Sequence, residues 1–413
     1  MSPGGFNCPF MSNASSTYDV AVVGGGPAGL SAAIALAQAG SRTVLIARRA
    51  SYADNRTTAL LGGSIDFLEA LSVWESCRDQ AAPLSAMRLV DDTGRLIRAP
   101  EVRFSCDEVG LEAFGYNIEN RVLVAALEAR AADIAGLVRL DDEAETVVGG
   151  DEEVTIATAG GALVSARLVV GADGRHSLCR EGAGITVTRR ELDQTALTFN
   201  IGVARPHHNV STEFHTRHGP CVFVPLPGNR CSVVWVAAPM EAERMRALSD
   251  EELSEAAEMQ SHSIFGRVRV EPGRYAFPLA IERPQRFAAR RVVLVGEAAH
   301  VVPPIGAQGL NLGLRDADDI AELVREALTN GEDPGGSRVL QRYDVARRAD
   351  VLSRTFVIDV ANRSLLSDFL PMQSLRAAGL HLIGSIGPLR RLAMREGLAP
   401  SWRARSKPHV LRA

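Results

Sequence analysis

The chain has 413 residues, of which 46% are hydrophobic, and its formal net charge is -4. This length is enough to bury a sizeable core and favours two or more lobes. The small negative charge gives no basis for nucleic-acid binding. The six cysteines form no CxxC pair, so the sequence predicts neither a metal site nor thioredoxin-like chemistry. Scattered thiols of this kind fit a reducing cytoplasm.

The N-terminal segment, residues 1–17, is rich in Gly, Ser, Asn and Pro. Because it lacks both a basic start and an apolar core, we predict a disordered segment and not a signal peptide. Residues 20–37 are nearly continuous in apolar and small side chains, but glycines divide them into a strand and a helix. No segment is therefore predicted to span a bilayer.

A glycine-rich turn follows the first predicted strand. Residues 19–23 form an apolar run, Gly24, Gly26 and Gly29 complete a GxGxxG pattern, and a second apolar run follows at residues 43–47. Strand, turn, helix and strand together predict a dinucleotide-binding βαβ unit, with the pyrophosphate at the helix N-terminus. A purely structural glycine turn is the alternative. This motif alone does not distinguish NAD from FAD.

Two further glycine turns also follow apolar runs. Asp173 and Gly174, with Ser177 and Arg180, resemble the DGxxSxxR element of flavoprotein aromatic hydroxylases, although an ordinary Asp-Gly turn is the alternative. Gly296 and Glu297 resemble the GDAAH element of the same proteins, in which the acid binds the ribitol chain of FAD. Glu297 replaces the usual Asp, which keeps the acceptor but changes its reach. A dehydrogenase needs neither element, so the resemblance implies FAD.

A proline- and glycine-rich loop leads into a long amphipathic helix. The loop contains Pro303, Pro304 and Gly306, and the helix is expected to begin near Gly309, Leu310 and Asn311. The unpaired backbone N–H groups of that helix start would face the flavin pyrimidine edge and favour the anionic reduced ring. A structural helix with a glycine-rich entry is the alternative.

These elements together look like the para-hydroxybenzoate hydroxylase fold family. Within it the chain is most similar to the ring hydroxylases of ubiquinone biosynthesis, over most of its length. By this resemblance Arg56 and Arg121 are also expected at the cofactor. Many members carry a Glu for the adenosine ribose after the second strand, where this chain has Ala47. We therefore consider Arg48 for that contact, with an ordinary exposed residue as the alternative.

The predicted fold is α/β, a Rossmann-like FAD-binding domain of the glutathione-reductase type with an inserted antiparallel β-sheet substrate domain and a C-terminal helical segment. The strands of the inserted sheet are expected at residues 196–203, 221–226 and 232–237, with a hairpin that joins 87–90 to 95–97. The domain limits are predicted at 18–80, 103–190 and 282–340 for FAD binding, at 81–102 and 191–281 for the substrate, and at 341–413 for the helical region.

The C-terminal segment combines leucines and isoleucines with many arginines. This pattern permits attachment to an anionic membrane surface, where a polyprenyl substrate dissolves. A helix that packs on the protein's own core with a solvated basic face is the alternative. The expected location is cytoplasmic, with a peripheral contact at the inner face of the membrane or with a quinone-biosynthesis complex.

The resemblance implies an FAD-dependent monooxygenase that hydroxylates a hydrophobic polyprenylated phenol through a flavin C4a-hydroperoxide, with Pro303, Pro304 and Gly306 beside the reacting ring. Dioxygen and either NAD(P)H or a reductase partner would be required. The alternatives are a flavin reductase or dehydrogenase that acts on a prenyl lipid, and a flavin-bound component without catalysis. The sequence names no general base. Four histidines in the predicted substrate domain are candidates or ordinary polar residues: His207, His208, His215 and His218.

Overall fold

The computed structural model of the protein describes residues 16–49, 55–95, 98–304, 306–366, 379, 381, 382 and 385–398. Most of the segment predicted to be disordered, and a large part of the arginine-rich C-terminal segment, lie outside the described residues. The helices are α1 (Pro27–Gln38), α2 (Gly62–Ala70), α3 (Trp74–Cys77), α4 (Asn120–Asp133), α5 (Leu178–Gly182), α6 (Pro239–Arg246), α7 (Asp250–Gln260), α8 (Gln308–Thr329), α9 (Ser337–Leu366) and α10 (Gly387–Leu398).

The strands belong to three sheets. In chain order they are β1 (Ser16–Val23), β2 (Thr43–Ile46), β3 (Thr57–Leu61), β4 (Ala81–Pro83), β5 (Ala86–Asp91), β6 (Val102–Ser105), β7 (Gly115–Glu119), β8 (Leu137–Leu140), β9 (Ala144–Gly149), β10 (Val154–Thr158), β11 (Leu163–Gly171), β12 (Val187–Val203), β13 (Val210–Thr216), β14 (Gly219–Leu226), β15 (Arg230–Ala237), β16 (Val268–Pro284), β17 (Ala288–Ala289) and β18 (Val292–Leu294).

The first sheet has a parallel centre in the order β18-β11-β1-β2-β8. Its strands are nearly continuous apolar runs because helices cover both faces. Leu30 and Ile34 of α1 have no exposed surface, and α1 packs between the sheet and α8. β9, β10 and the lower half of β11 form an antiparallel extension. The glycine turns of β1, β11 and β18 all lie at the carboxyl edge of this sheet.

The second sheet has the order β16-β12-β15-β14-β13-β5-β6, and it is antiparallel except where β13 runs parallel to β5. One face carries an apolar cluster that includes Phe214, Phe223 and Leu253, and α6 and α7 cover it. The other face turns toward the first sheet. The strands predicted at 196–203, 221–226 and 232–237 lie within β12, β14 and β15.

The predicted hairpin of residues 87–90 with 95–97 is wrong in its second strand. β5 pairs instead with β6, which begins at Val102, beyond the predicted strand at residues 95–97. Arg95 is outside any strand, and residues 96 and 97 lie outside the described residues. The intervening loop is held by Asp91, whose carboxylate accepts hydrogen bonds from Thr93 Oγ1 at 2.6 Å and from the backbone N of Ala99 at 2.8 Å. These bonds favour a wide loop over the tight Asp-Thr-Gly turn.

The third sheet, β3-β7-β4, is small and lies between the other two. Asn117 of β7 connects it to the second sheet, because its Nδ2 donates to the Pro225 carbonyl at 2.9 Å. Beyond the sheets, α9 crosses behind α8, and α10 packs Met394 against Cys106 and Phe114. The third sheet and α10 therefore help to enclose the space between the two larger sheets.

Candidate active site

The three glycine turns meet at one edge of the parallel sheet. The backbone N of Ala172 donates to the Val23 carbonyl at 2.8 Å, and the N of Val295 donates to the Gly171 carbonyl at 2.9 Å. Adjacent parallel strands end on the same side, so motifs far apart in sequence converge there. The structure thus brings together the turns that contain Gly24, Gly26, Asp173, Gly174, Gly296 and Glu297.

The first turn has the geometry of a phosphate cradle. Gly24 has φ +113°, and a Cβ at Gly24 would stand 2.2 Å from the Ala172 carbonyl oxygen. A Cβ at Gly29 would stand 2.0 Å from the Gly24 oxygen. Gly26 is the N-cap of α1 and supplies no side-chain cap to the first N–H groups of that helix. The glycines thus let the first turn pack directly against the backbone of the second turn. A tight glycine turn that leads into a helix start without a side-chain acceptor fits a pyrophosphate.

The second turn is stabilised by the side chains of its own motif. Asp173 accepts hydrogen bonds from Ser177 Oγ at 2.6 Å and from the Cys179 backbone N at 3.0 Å. Arg180 donates to the Ala298 carbonyl at 3.0 Å and thereby joins this turn to the third one. Gly174 has φ +80°, a conformation that favours glycine. The Asp, Ser and Arg of the motif therefore set the shape of the turn, and its backbone is left to face a ligand.

The third turn is tied to helix α8. Gly296 has φ +65°, and its backbone N donates to Asp316 Oδ2 at 2.9 Å. The Glu297 side chain is 62% exposed, and its Oε2 lies 3.5 Å from Arg175 Nε. Both Arg175 and Glu297 line the cavity described below. Glu297 is consequently placed where a carboxylate can accept hydrogen bonds from a polyhydroxy chain.

The proline-glycine loop forms the opposite wall. Pro304 lines the cavity, whereas Pro303 is buried behind it. Gly306 has φ +64° and Ala307 has φ +52°, an uncommon conformation for a residue with a Cβ. The loop turns sharply so that α8 begins with Gln308, Gly309 and Leu310 at the cavity. Among the residues that the structure describes, no side chain caps this helix start, so its N–H groups are available to a flavin carbonyl.

Asn311 differs from its neighbours, because its side chain is buried and serves the protein. Its Oδ1 accepts hydrogen bonds from the Leu61 backbone N at 2.9 Å and from Ser64 Oγ at 2.6 Å. Its Nδ2 donates to the Ala59 carbonyl at 2.8 Å. The side chain of Asn311 therefore fixes the start of α8 against β3 and α2, and a contact of Asn311 with the cofactor would come from its backbone.

The three predicted arginines occupy different surroundings. Arg48 follows β2, is 64% exposed and lies 3.4 Å from Glu143. Arg56 is exposed and lines a second cavity of about 200 Å³, which shares Thr57, Phe277 and Pro304 with the larger one. Arg121 is held by Glu119, with 2.6 Å from Nε to Oε2. Of the three, Arg56 lies nearest the larger cavity, and Arg48 lies at the nucleotide end of the sheet.

A cavity of about 290 Å³ lies between the proline-glycine loop and the second sheet. Its wall on the side of the second sheet is mainly apolar and contains Met87, Val222, Val224, Val234, Phe277 and Leu279. Leu84, and Phe114, which packs against Met394 of α10, complete this apolar lining. Its polar residues include Asn117, Ser211, Glu213 and Ser232. An apolar aromatic molecule placed here would contact Pro304 and the start of α8.

A buried ionic network, which no sequence motif predicts, supports the loop from behind. Asp316 Oδ1 lies 2.6 Å from Arg347 Nε, and Arg347 NH1 lies 2.8 Å from Asp319 and 3.0 Å from Asp350. Arg354 donates to Gln308 Oε1 at 2.8 Å. Burial acts to raise the pKa of Asp316, but Arg347 and His300 outweigh it and hold the pKa below its usual range. Helix α9 thereby fixes both the third turn and the start of α8.

The four candidate histidines are separated in the structure. His207 Nε2 lies 2.8 Å from the Gly228 carbonyl in a turn, and His208 has φ +50° in the same loop. His218 is exposed. His215 is buried and lies 2.9 Å from Glu213. His215 alone of the four reaches a residue that lines the cavity.

The fold and the converging turns define a dinucleotide-binding protein with a separate β-sheet on the other side of the cavity. The chain belongs to the FAD binding domain family, whose model matches residues 17–354. The predicted resemblance, the fold class and the cofactor FAD are confirmed.

Among its relatives, ubiquinone hydroxylase UbiL of Rhodospirillum rubrum is 31% identical over 98% of this chain and 95% of its own. The 3-demethoxyubiquinol 3-hydroxylase of Escherichia coli is 28% identical over 92% of this chain and 98% of its own. The crystal structure of p-nitrophenol 4-monooxygenase PnpA from Pseudomonas putida has a TM-score of 0.77 at 21% identity, over 93% of this chain and 98% of its own. That structural likeness shows the fold.

Proposed function

We propose that this protein is an FAD-dependent monooxygenase that hydroxylates the aromatic ring of a polyprenylated phenol in ubiquinone biosynthesis. The observation that carries the proposal is the apolar cavity, which adjoins the start of α8 on one side and the second sheet on the other. The names of the two relatives, UbiL and the demethoxyubiquinol hydroxylase, support the same substrate class.

The cofactor contacts that we propose follow the three turns and the loop. Gly24, Gly26 and Gly29 would receive the pyrophosphate, Arg48 the adenosine ribose, and Glu297 the ribitol chain, with Asp173 and Gly174 closing over the phosphates. Gly309, Leu310 and Asn311 would present backbone N–H groups to the pyrimidine edge. Arg56 and Arg121 would lie at the outer side of the flavin. Pro304 and Gly306 would form the wall beside the reacting ring, and Pro303, predicted for the same wall, would support it from behind.

When bound and reduced, FAD would supply the activation of dioxygen that allows one oxygen atom to be transferred to an electron-rich ring. The protein's own part is to hold the phenol, to exclude water and to stabilise negative charge. The apolar walls at Val224, Val234 and Phe277 exclude water from the side of the ring. The N-terminus of α8 provides a positive dipole end at the cavity, where it would stabilise negative charge on a reduced flavin.

The domain limits stated above remain part of the proposal, and so does the electron donor, which is NAD(P)H or a reductase partner. A dehydrogenase of the same fold is the second candidate, because the apolar cavity would also accept a prenyl chain. The decisive experiment supplies ¹⁸O₂ to the reduced protein with a short-chain 2-prenylphenol. A monooxygenase gives a product that contains one ¹⁸O atom, whereas a dehydrogenase gives an oxidised product without the label.

We also propose a peripheral membrane contact through the C-terminal region. In the part of the chain that the structure describes, no helix is both long and apolar enough to cross a membrane. Leu382, Ile386 and Leu392 are nonetheless between 43% and 56% exposed, while Met394 of α10 is buried. Co-flotation with vesicles that contain anionic lipid, but not with neutral vesicles, would support this contact. If the protein stays in the lipid-free fraction with both kinds of vesicle, the membrane contact is rejected.

A further inference from the structure

We propose that Glu213, held in place by His215, accepts the proton of the phenol hydroxyl and so makes the ring electron-rich for hydroxylation. This inference rests on the proposed function. It names the group that binds the reacting end of the substrate, in a cavity whose sheet-side walls are otherwise mainly apolar.

Glu213 is placed by a strand in the interior of its sheet. β13 lies between β14 and β5, and Glu213 is opposite Val222 on one side and Leu89 on the other. Because side chains alternate along a strand, Ser211, Glu213 and His215 share one face. Both Ser211 and Glu213 line the cavity, which Gly309 at the start of α8 also lines. A ring held between loop and sheet would present its substituents to Glu213.

The carboxylate has one partner and one oxygen to spare. His215 Nε2 lies 2.9 Å from Glu213 Oε1, and the two side chains are only 10% and 16% exposed. Among the described residues, Oε2 accepts no other hydrogen bond. A carboxylate so poorly solvated gains most from a second donor. A phenol hydroxyl in the cavity is a donor of the right kind.

The other charges near this face already have partners. On the neighbouring strand and its loop, Asp91 is bound by Thr93 and by the Ala99 backbone, and Asp92 lies 3.1 Å from His262. At the far end of the cavity, Arg175 and Glu297 lie next to each other. Of the charged residues that line the cavity in the described chain, Glu213 is thus the one on the sheet wall.

The chemistry is a proton transfer that involves no oxidation. The O–H bond of the phenol breaks, its proton moves to Glu213 Oε2, and the electron pair stays on the phenol oxygen. The negative charge spreads into the ring and raises electron density at the carbons ortho and para to that oxygen. After hydroxylation the proton returns, so Glu213 ends the cycle as a carboxylate. General-base assistance of this kind contributes about 10²–10⁴-fold to a rate.

The test uses the FAD-loaded protein and the substitution Glu213→Gln, which keeps size and shape. The exposed Glu191 of β12 provides the matched control Glu191→Gln. Protein reduced with dithionite is mixed with oxygenated buffer and 2-prenylphenol, and the hydroxylated product is measured. We expect the rate to fall about 100-fold for Glu213→Gln, with phenol affinity little changed, and to be unaffected in the control.

A second substrate separates catalysis from packing. A fluorinated 2-prenylphenol that is already ionised at pH 8 does not need a base. Glu213→Gln and the wild type should therefore hydroxylate it at similar rates. If Glu213→Gln hydroxylates 2-prenylphenol at the wild-type rate, or is equally slow with the ionised phenol, the assignment of Glu213 is overturned.

A binding measurement keeps this inference distinct from the proposed function. Oxidised wild-type protein should bind 2-prenylphenol about tenfold more tightly than its methyl ether, because only the phenol can donate a hydrogen bond to Glu213. Wild-type protein that shows this preference but makes no labelled product would refute the monooxygenase and leave the contact with Glu213 intact, whereas equal affinity for the two compounds would overturn the proposal. If Glu213→Gln fails to retain FAD, Glu213→Asp and His215→Gln replace it in the rate measurement. An undiminished rate in both would overturn the proposal.

Discussion

His300 Nε2 and Asp316 Oδ2 lie 2.7 Å apart, and the same oxygen accepts the backbone N–H of Gly296. His300 and Asp316 are 3% and 0% exposed. One carboxylate thus joins the third glycine turn to helix α8, and through Arg347 to α9. The shape of the turn that faces the cofactor is therefore determined by a charge beneath it.

The substitution Asp316→Asn should destabilise the protein severely. It removes the charge closest to the buried Arg347, which has Asp319 and Asp350 as its remaining partners. Removing one partner of a buried ion pair lowers the free energy of unfolding by about 3–5 kcal/mol. Chemical unfolding monitored by circular dichroism would measure the loss. Asp318→Asn is the comparison variant, because Asp318 lies nearby in α8 but is only half-buried. An equally large loss of stability in Asp318→Asn would contradict a specific role for Asp316.

The contribution of Asp316 should depend on pH in a defined direction. Its pKa is lower in the folded protein than in the unfolded chain, where a value of about 3.9 applies. The stabilisation is therefore complete above about pH 4 and is lost as the pH falls through the folded-state pKa. The difference in unfolding free energy between wild type and Asp316→Asn should be constant above about pH 4 and should shrink as the pH is lowered below that value. A difference that does not shrink below about pH 4 would argue against the charge.

Gly29→Ala should abolish retention of FAD. The new Cβ would stand 2.0 Å from the Gly24 oxygen and 3.0 Å from Ala172 Cβ, so the first turn would have to move. Gly63→Ala in α2 is the matched control, because no atom lies within 4 Å of its Cβ position. The control should be stabilised by up to about 1 kcal/mol. The ratio of flavin absorbance at 450 nm to protein absorbance gives the result, and a yellow, fully loaded Gly29→Ala protein would refute the cradle.

Asn311→Ala should weaken FAD binding without a contact between its side chain and the cofactor. The substitution leaves the Leu61 N–H, Ser64 Oγ and the Ala59 carbonyl without their partner, at about 1–3 kcal/mol for each group that water cannot reach. Thermal unfolding and FAD titration would both be affected. Asn229→Ala, in an exposed turn, should change neither. Unchanged FAD affinity in Asn311→Ala would show that the start of α8 is held by other contacts.

Val224→Phe should reduce phenol turnover while FAD stays bound. Val224 lines the cavity, and a larger side chain would fill space that the ring needs. The expected result is a raised KM or a rate at least tenfold lower with 2-prenylphenol at unchanged flavin content. Val148→Phe, at a position that is 63% exposed, serves as the control. Wild-type kinetics for Val224→Phe would place the substrate elsewhere.

Much of the cofactor edge could be predicted from sequence because its signals are local. A strand, a glycine turn and a helix start occupy adjacent residues, so Gly24, Gly174 and Gly296 were recognisable from their neighbours alone. The parallel order of β18, β11 and β1 then brings these turns together. Local patterns also placed β12, β14 and β15.

The remaining features depend on contacts between residues far apart in sequence. The pairing of Asp316 with Arg347 spans two helices, and no spacing rule predicts it. In the sequence, Glu213 resembles an ordinary solvent-facing residue of a strand. Only the packing of the second sheet against the proline-glycine loop places it at a cavity. The error in the β5 hairpin has a similar origin, because the side chain of Asp91 shapes the loop.

The ionic contact between Asp316 and Arg347 has a consequence for biosynthesis of the protein. The nucleotide cradle begins at Gly24, but Asp316, which holds the turn at Gly296, gains its buried partner Arg347 only when α9 has been made and has docked. A ribosome-bound chain that ends before Arg347 would carry the first glycine turn without the support of the third. Tight capture of FAD is therefore expected late in translation or after release, when the last large helix closes the site.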